Sequence, residues 1–236
     1  MAIADTLQEI YNNVEKVYEA GKAAGGGDNS AFWDIYQDNG TRTHYVGAFC
    51  GYGWTNTTAT PKYPITKITS ANYMFCYTNI EGDLVEHFKK YGTTLDFSNC
   101  QYAHSLFGSA TKLTRVGVID LRKCGAACSS VFSSAGKLET IDELKICDTT
   151  PYTIFSANVA LKNVKITEGN ICTDKWNLGS SKNLSKESIT SFINALSPNT
   201  SGFNITFSKT AKEAAFTIEE WEALIATKSN WTINLA

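Results

Sequence analysis

The residues able to do chemistry are few. Seven cysteines and three histidines are the candidates for metal ligands, nucleophiles or bases. None of His44, His87 and His104 stands at a ligand spacing from another histidine or from a cysteine pair, and His87 falls in a predicted helix where it reads as solvated. Cys124-Gly-Ala-Ala-Cys128 is the one pair with ligand-like spacing, and it lacks the second pair that a structural zinc site requires. Cys124 also belongs to a series, Cys100, Cys124, Cys147 and Cys172, at intervals of 24, 23 and 25 residues. Cysteine locked to such a phase reads as a small buried hydrophobe stacked in a column. The carboxylates Asp120, Asp142 and Glu143 fall in or beside predicted strands, as solvated positions rather than a paired acid and base. The sequence carries no GxSxG, HExxH, P-loop or dinucleotide fingerprint. The expectation is a protein without catalytic residues, metal or cofactor.

What the sequence does carry is a period. Phe75, Phe107, Phe132 and Phe155 are 32, 25 and 23 residues apart, and each closes a helical-looking clause. Six residues after the last three come Leu113, Leu138 and Leu161, followed by short apolar strands around Val118–Leu121, Glu143–Ile146 and Asn163–Ile166. A period in the twenties predicts an α/β leucine-rich-repeat solenoid with short parallel strands. Leu113, Leu121, Leu138, Ile146, Leu161 and Ile166 should then be buried, and Phe107, Phe132 and Phe155 should stack inside. Solenoids supply surfaces more often than reactions.

The elements around this body divide the chain into residues 1–20, 21–30, 31–64, 65–184 and 185–236. In the first, Ile3, Leu7, Ile10, Val14 and Val17 step by 4, 3, 4 and 3, a heptad seam that predicts a coiled-coil-like helix. About two heptads are marginal alone, so this helix needs a partner: another copy, another protein, or its own body. Gly25-Gly26-Gly27 follows as a joint. Residues 31–64 are dense in aromatics, and Phe49-Cys50 foreshadows Phe75-Cys76 as a degenerate first repeat. They read as a cap over the first rung, or alternatively as a platform of exposed rings for sugars. Ile65–Ile68 and Thr94–Phe97 read as strands, and Leu84–Tyr91 as an inserted helix with Asp83 at its N-cap and Gly92 as its stop. Residues 185–236, the C-terminal cap, hold a helix begun by Ser185, a strand at Phe203–Phe207, a capping box at Thr217 and Glu220, and a last strand at Trp231–Leu235.

Bulk properties exclude some classes. A formal net charge of −2, with scattered basic residues, gives no attraction for phosphates, so nucleic acid is not an expected partner. No run of about 18 apolar residues exists to insert in a membrane. The first residues lack a basic region followed by an apolar stretch, so no secretion signal is expected.

The repeat phrases Tyr73-Met74-Phe75 and Leu106-Phe107, with their following leucines and strands, resemble surface-antigen-type leucine-rich repeats of bacteria. The stretches Phe32–Thr43 and Glu220–Ile233 resemble the head and tail of a protein family common in prophages of Gram-positive gut bacteria. The resemblance covers nearly the whole chain, apart from the inserted helix. It implies a virion- or tail-associated setting and carries no catalytic residues. The expected function is a non-enzymatic phage structural or adhesion protein in the virion. Ile3, Leu7, Ile10, Val14 and Val17 would join it to other virion proteins or make a homo-oligomer, and a face of the repeats would meet a bacterial surface glycan or protein. The alternative is a cell-associated protein–protein interaction module. Candidate binding residues are the aromatics Tyr36, Tyr45, Tyr52 and Trp54 and the strand residues Asp120 and Lys145, expected to be exposed.

Overall fold

A computed structural model describes residues 43–61, 65 and 67–236. The heptad helix, the glycine joint and residues 31–42 and 62–64 of the aromatic segment, with Ile3, Leu7, Ile10, Val14, Val17 and Tyr36, lie outside the described residues. In chain order the elements are β1 (Gly82–Asp83), α1 (Leu84–Lys89), β2 (Leu113–Asp120), β3 (Thr140–Lys145), a 3₁₀ turn (Tyr152–Ile154), β4 (Asn163–Glu168), β5 (Trp176–Leu178), α2 (Lys186–Ala195), β6 (Phe203–Phe207), α3 (Lys209–Ala215), α4 (Ile218–Ala226) and β7 (Trp231–Leu235). The fold is α/β with parallel sheets. Strands β1-β2-β3-β4 form one sheet and β5-β6-β7 a second.

In the first sheet and the residues flanking its strands, buried positions recur in step: Leu113, Val116, Ile119 and Leu121, then Leu138, Ile141, Leu144 and Ile146, then Leu161 and Val164. Ile166, expected in the core, is only partly buried. Against these side chains stands a column of rings. Phe49 stacks on Phe75 at 5.1 Å and 5°, Phe75 on Phe107 at 5.5 Å and 8°, Phe107 on Phe132 at 5.7 Å and 7°, and Phe132 on Phe155 at 5.2 Å and 17°. Offset stacking of buried rings adds to the area that each ring removes from water. The column then turns: Phe155 meets Phe192 of α2 edge-on at 5.9 Å, and the aromatic core continues through Phe207 to Trp221 of α4.

The segments that carry these phenylalanines are not helical. Tyr73 and Tyr77, Ser105 and Ser109, and Ser130 and Ser134 have φ between 48° and 58°, two residues either side of the ring. Gly47 and Gly51 hold the same places around Phe49, where glycine takes a positive φ without penalty. A left-handed residue at every fourth position breaks a right-handed helix and sends alternate amides in opposite directions. One set closes short turns within the segment, as Met74 N–H does to the Ala71 carbonyl. The other set donates to the next segment: Ser105 to Ser129 at 2.9 Å, Phe107 to Val131 at 2.7 Å and Ser109 to Ser133 at 2.8 Å. The same triplet joins 73, 75 and 77 to 104, 106 and 108, and joins 130, 132 and 134 to 153, 154 and 156. Backbone that would cost free energy if buried without partners is thus bonded between turns.

Further expectations need correction. Residues 94–97 form no strand, although Phe97 is buried, and no strand is assigned at 65, 67 and 68; the pairing sits instead at His44, Ser70 and Tyr102. Strands β2 and β3 begin earlier than the apolar runs suggested. Helix α3 was not anticipated.

Helices close both edges of the first sheet. Beside β2, the chain leaves β1 after two residues and turns into α1, with both Asp83 Oδ1 contacts capping its amides. Gly117 in β2 admits the helix, since a Cβ there would lie 3.0 Å from Val85. Beside β4, α2 replaces the next strand. Its Ser188 hydroxyl takes the Val164 amide at 2.9 Å and donates to the Lys162 carbonyl, and Ser191 takes the Ile166 amide at 2.8 Å. An uncovered parallel edge would invite pairing with another chain.

Candidate functional site

Two surfaces differ in chemistry. The strand side is charged. Arg115 reaches from β2 to Asp83 at 2.6 Å and to both oxygens of Asp142 at 2.8 and 2.7 Å, lacing β1, β2 and β3 together. Arg122 pairs with Asp120 at 2.6 Å and also with Glu168, which accepts from Lys145 at 2.7 Å. Burial alone would raise the Asp120 carboxyl, but the Arg122 side-chain and backbone hydrogen bonds and its charge bring it below its ordinary value. These groups satisfy one another, and half-exposed pairs of this kind contribute little individually.

The turn side is neutral. Segments 43–61, 68–80, 97–111, 124–136 and 149–161 contain no Asp, Glu, Lys or Arg. Its outward residues are mainly tyrosines and small hydroxyl or amide side chains, with Val159 as an exposed aliphatic among them. With the left-handed residues two before and two after Phe75 turned outward, Tyr73 and Tyr77 stand in solvent while Met74, Phe75 and Cys76 between them are buried. Tyr77 meets Tyr52 of the preceding turn edge-on at 5.7 Å, and Tyr73 meets His104 of the following one at 5.1 Å. The His104 ring is held by Ser129 at 2.5 Å and its amide by Asn72 at 2.7 Å. Tyr102 and Tyr152 are also exposed on this side, and Ser105, Ser109, Ser130 and Ser134 continue the outward rows.

Two of the concavities among the described residues flank the first sheet. An apolar cleft of about 210 Å³ lies between α1 and β2, walled by Leu84, Phe88, Leu95, Phe97, Phe107 and Val116. An open groove of about 1140 Å³ follows β4 and α2 and is lined mainly by hydroxyls, amides and charged side chains, of which Asp142, Glu168 and Lys186 are already ion-paired. Neither brings a nucleophile and base together. Among the described residues no group of three or more His, Cys, Asp and Glu could hold a metal ion, and no helix is long and apolar enough to cross a membrane.

The structure separates the sequence candidates. Tyr52 is 65% exposed and belongs to the neutral face. Tyr45 and Trp54 are 1% and 4% exposed; Trp54 packs edge-on against Phe49 at 5.2 Å, so both are core residues rather than binding aromatics. Asp120, 4% exposed, is held by Arg122 and is not a free strand carboxylate. Lys145 is half-buried and committed to Glu168. His87 is not solvated: it is 3% exposed, its Nε2 lies 2.8 Å from the Ala59 carbonyl, and burial depresses its pKa. All seven cysteines are free; Cys100, Cys124, Cys76 and Cys128 are buried, and the Cys124 thiol donates to the Cys100 carbonyl at 3.1 Å.

Sequence reasoning missed Tyr73, Tyr77, Tyr102 and His104. For Tyr73 and Tyr77 the signal was their place two before and two after Phe75, together with the absence of charge across the segment; Tyr102 and His104, five and three before Phe107, carried only the second part of it. The chain matches no protein-family model, no curated protein and no solved structure.

Proposed function

We propose that this chain is a non-enzymatic attachment protein of a phage particle, built as a leucine-rich-repeat-type solenoid that offers its side to a bacterial surface. The observation that carries the reading is the partition of the stacked turns. Arg115, Arg122 and Lys145 on the strand side pair with Asp83, Asp142, Asp120 and Glu168, while the turn side leaves a row of neutral, hydrogen-bonding and aromatic groups open to solvent. Such a body suits recognition: among the described residues that could act as acids or bases, Asp83, Asp120, Asp142 and Glu168 on the strand side are held in ion pairs, and His87 is in the core. The heptad seam Ile3, Leu7, Ile10, Val14 and Val17 joins the body to other virion proteins or to further copies, and the three glycines give the joint reach. The repeat phrases and the flanking stretches resembling prophage proteins support the virion setting.

The test is the solution mass of the full chain beside a variant beginning at Ser30, with a search for the chain in purified particles by mass spectrometry. The expected result is a dimer or trimer for the full chain, a folded monomer for the shorter one, and the chain present in particles. Two monomers and no particle-borne chain would sink the reading and leave a protein–protein interaction module in its place.

A further inference from the structure

We infer that the turn side is a binding face for an uncharged glycan, with Tyr52 and Tyr77 as its stacking platform and Tyr73, His104 and the serine rows as its hydrogen-bonding flank. The inference rests on the attachment reading and names the ligand class of its exposed face.

Three observations converge on neutral carbohydrate. The first is charge. Charged residues make up 19% of the chain, yet the five stacked segments that build this side have none. A face for a polyanion, an acidic peptide or a basic partner would carry countercharges, because charge complementarity is what steers and selects such partners. The second is ring presentation. Tyr52, Tyr73, Tyr77, Tyr102 and Tyr152 are five of the nine large hydrophobic residues exposed among those described, and all five lie on this side. Tyrosine gives an apolar ring face and a hydroxyl on a side chain with little rotamer entropy to lose, the combination used where polar, wet recognition is needed. The ring face suits the C–H face of a pyranose, and the hydroxyl suits its equatorial oxygens. The third is rigidity. Tyr52 and Tyr77 brace each other at 5.7 Å, Tyr73 is braced by His104 at 5.1 Å, and the backbone below is fixed by cross-turn hydrogen bonds. Preorganised groups lose less freedom on binding. The turns recur at the spacing of the phenylalanine column, so adjacent sugars of a chain would meet equivalent outward positions.

Another protein would need a denser apolar centre. Here the rings alternate with serines, threonines and asparagines, and among the described residues the inward apolar side chains of these segments are committed to the core.

The experiment is an array of neutral oligosaccharides (glucose, galactose, mannose, rhamnose, N-acetylglucosamine and N-acetylgalactosamine polymers) beside anionic polyglycerol phosphate and uronic-acid polymers. It is probed with the full chain and followed by titration calorimetry of any hit. The expected result is binding to a neutral member that is insensitive to salt from about 50 to 500 mM, where charge-driven binding would weaken. Tyr52→Ala and Tyr77→Ala should each lower affinity about tenfold, equivalent to about 1.4 kcal/mol. Tyr77→Phe should lower it less than about threefold, and Lys165→Ala on the strand side should not change it. All four variants should keep the parent melting midpoint, since these side chains are exposed. No binding to any neutral member, binding to the anionic polymers alone, or binding that survives both tyrosine-to-alanine changes would overturn the inference. So would an oligomer that dissociates on Tyr77→Ala, which would make this face a contact between copies. If the chain is found in particles but no neutral glycan binds, the attachment reading stands and this inference falls.

Discussion

Phe132 shows at residue scale how the periodicity acts. It is fully buried between Phe107 and Phe155, so truncation removes two stacking partners and leaves a cavity that flanking turns, bonded above and below, cannot close. Phe132→Ala should cost about 3–5 kcal/mol, read as the denaturant midpoint at constant slope. An unchanged midpoint would mean that the ring column is not what holds the turns together. The backbone beside it makes a separate prediction. Ser134 is exposed at φ 58°, so its side chain contributes little packing while its conformation is disfavoured for any residue with a Cβ. Ser134→Val, with a branched Cβ, should destabilise by about 1–2 kcal/mol, whereas Ser134→Gly should be neutral or stabilising by up to about 1 kcal/mol. Equal effects of the two would show that sterics at this backbone position are unimportant.

At the scale of elements, the two edge helices carry the predictions. Ser188 of α2 stands in for a missing strand, accepting the Val164 amide and donating to the Lys162 carbonyl. Ser188→Ala leaves that buried amide without its acceptor and should cost about 1–3 kcal/mol, with faster hydrogen exchange at Val164 as the local readout. If Val164 exchange were unchanged, the edge would be capped by something other than the hydroxyl. Helix α1 is tied to the preceding turn by His87 and the Ala59 carbonyl, and burial, aided by the nearby Lys90 charge, holds the imidazole below its ordinary value of 6.5. A base whose pKa is lower in the folded state is protonated first in the unfolded chain. Stability should therefore be complete above about pH 6.5 and decline as the pH falls from there through the folded value. Denaturant midpoints between pH 7.5 and 5 should fall more steeply for the parent than for His87→Gln, and parallel curves would remove His87 as the cause. The Asp83 cap, the Ser185 helix start and the Thr217–Glu220 capping box were legible from residue type and spacing, because a cap is a contact within four residues. Around the phenylalanines the helical expectation fails because local propensity is overridden by hydrogen bonds to segments about 25 residues away; at 94–97 the bonds are local, as from the Ser98 amide to Asp96, and no ladder forms.

For the whole molecule, the unbroken aromatic core predicts cooperativity. Rings follow one another from Trp54 and Phe49 through Phe155 and Phe192 to Phe207 and Trp221, so no plane of weak packing crosses the stack. Arrays of stacked units lose two-state behaviour where neighbouring interfaces are weak. Fluorescence of variants keeping only Trp54 or only Trp221 should report the same thermal midpoint as far-ultraviolet circular dichroism, and separated midpoints would locate a break in the core. The partition into a charged side and a neutral side belongs to this scale as well. It is written as charge-free segments that look unremarkable one at a time and become a surface only when stacked.

The sequence by itself determined the period, the inward phenylalanines and leucines, the parallel strands and the local caps, because each follows from side-chain type at short or constant spacing. Only the tertiary structure decided which aromatics are outside. Tyr45 and Trp54 share composition and neighbourhood with Tyr52, yet the first two are buried and the third is 65% exposed. The difference comes from the stacking of turns: Tyr52 follows the left-handed Gly51 and meets Tyr77 on the outside, whereas Trp54 packs on Phe49. In the later turns the left-handed places are held by Tyr73, Tyr77, Ser105, Ser109, Ser130 and Ser134, residue types that do not announce that conformation, and it is stabilised here by hydrogen bonds to the next turn. Likewise Asp120 reads as a solvated strand carboxylate until Arg122 folds onto it, and His87 as a solvated helix residue until the Ala59 turn covers it.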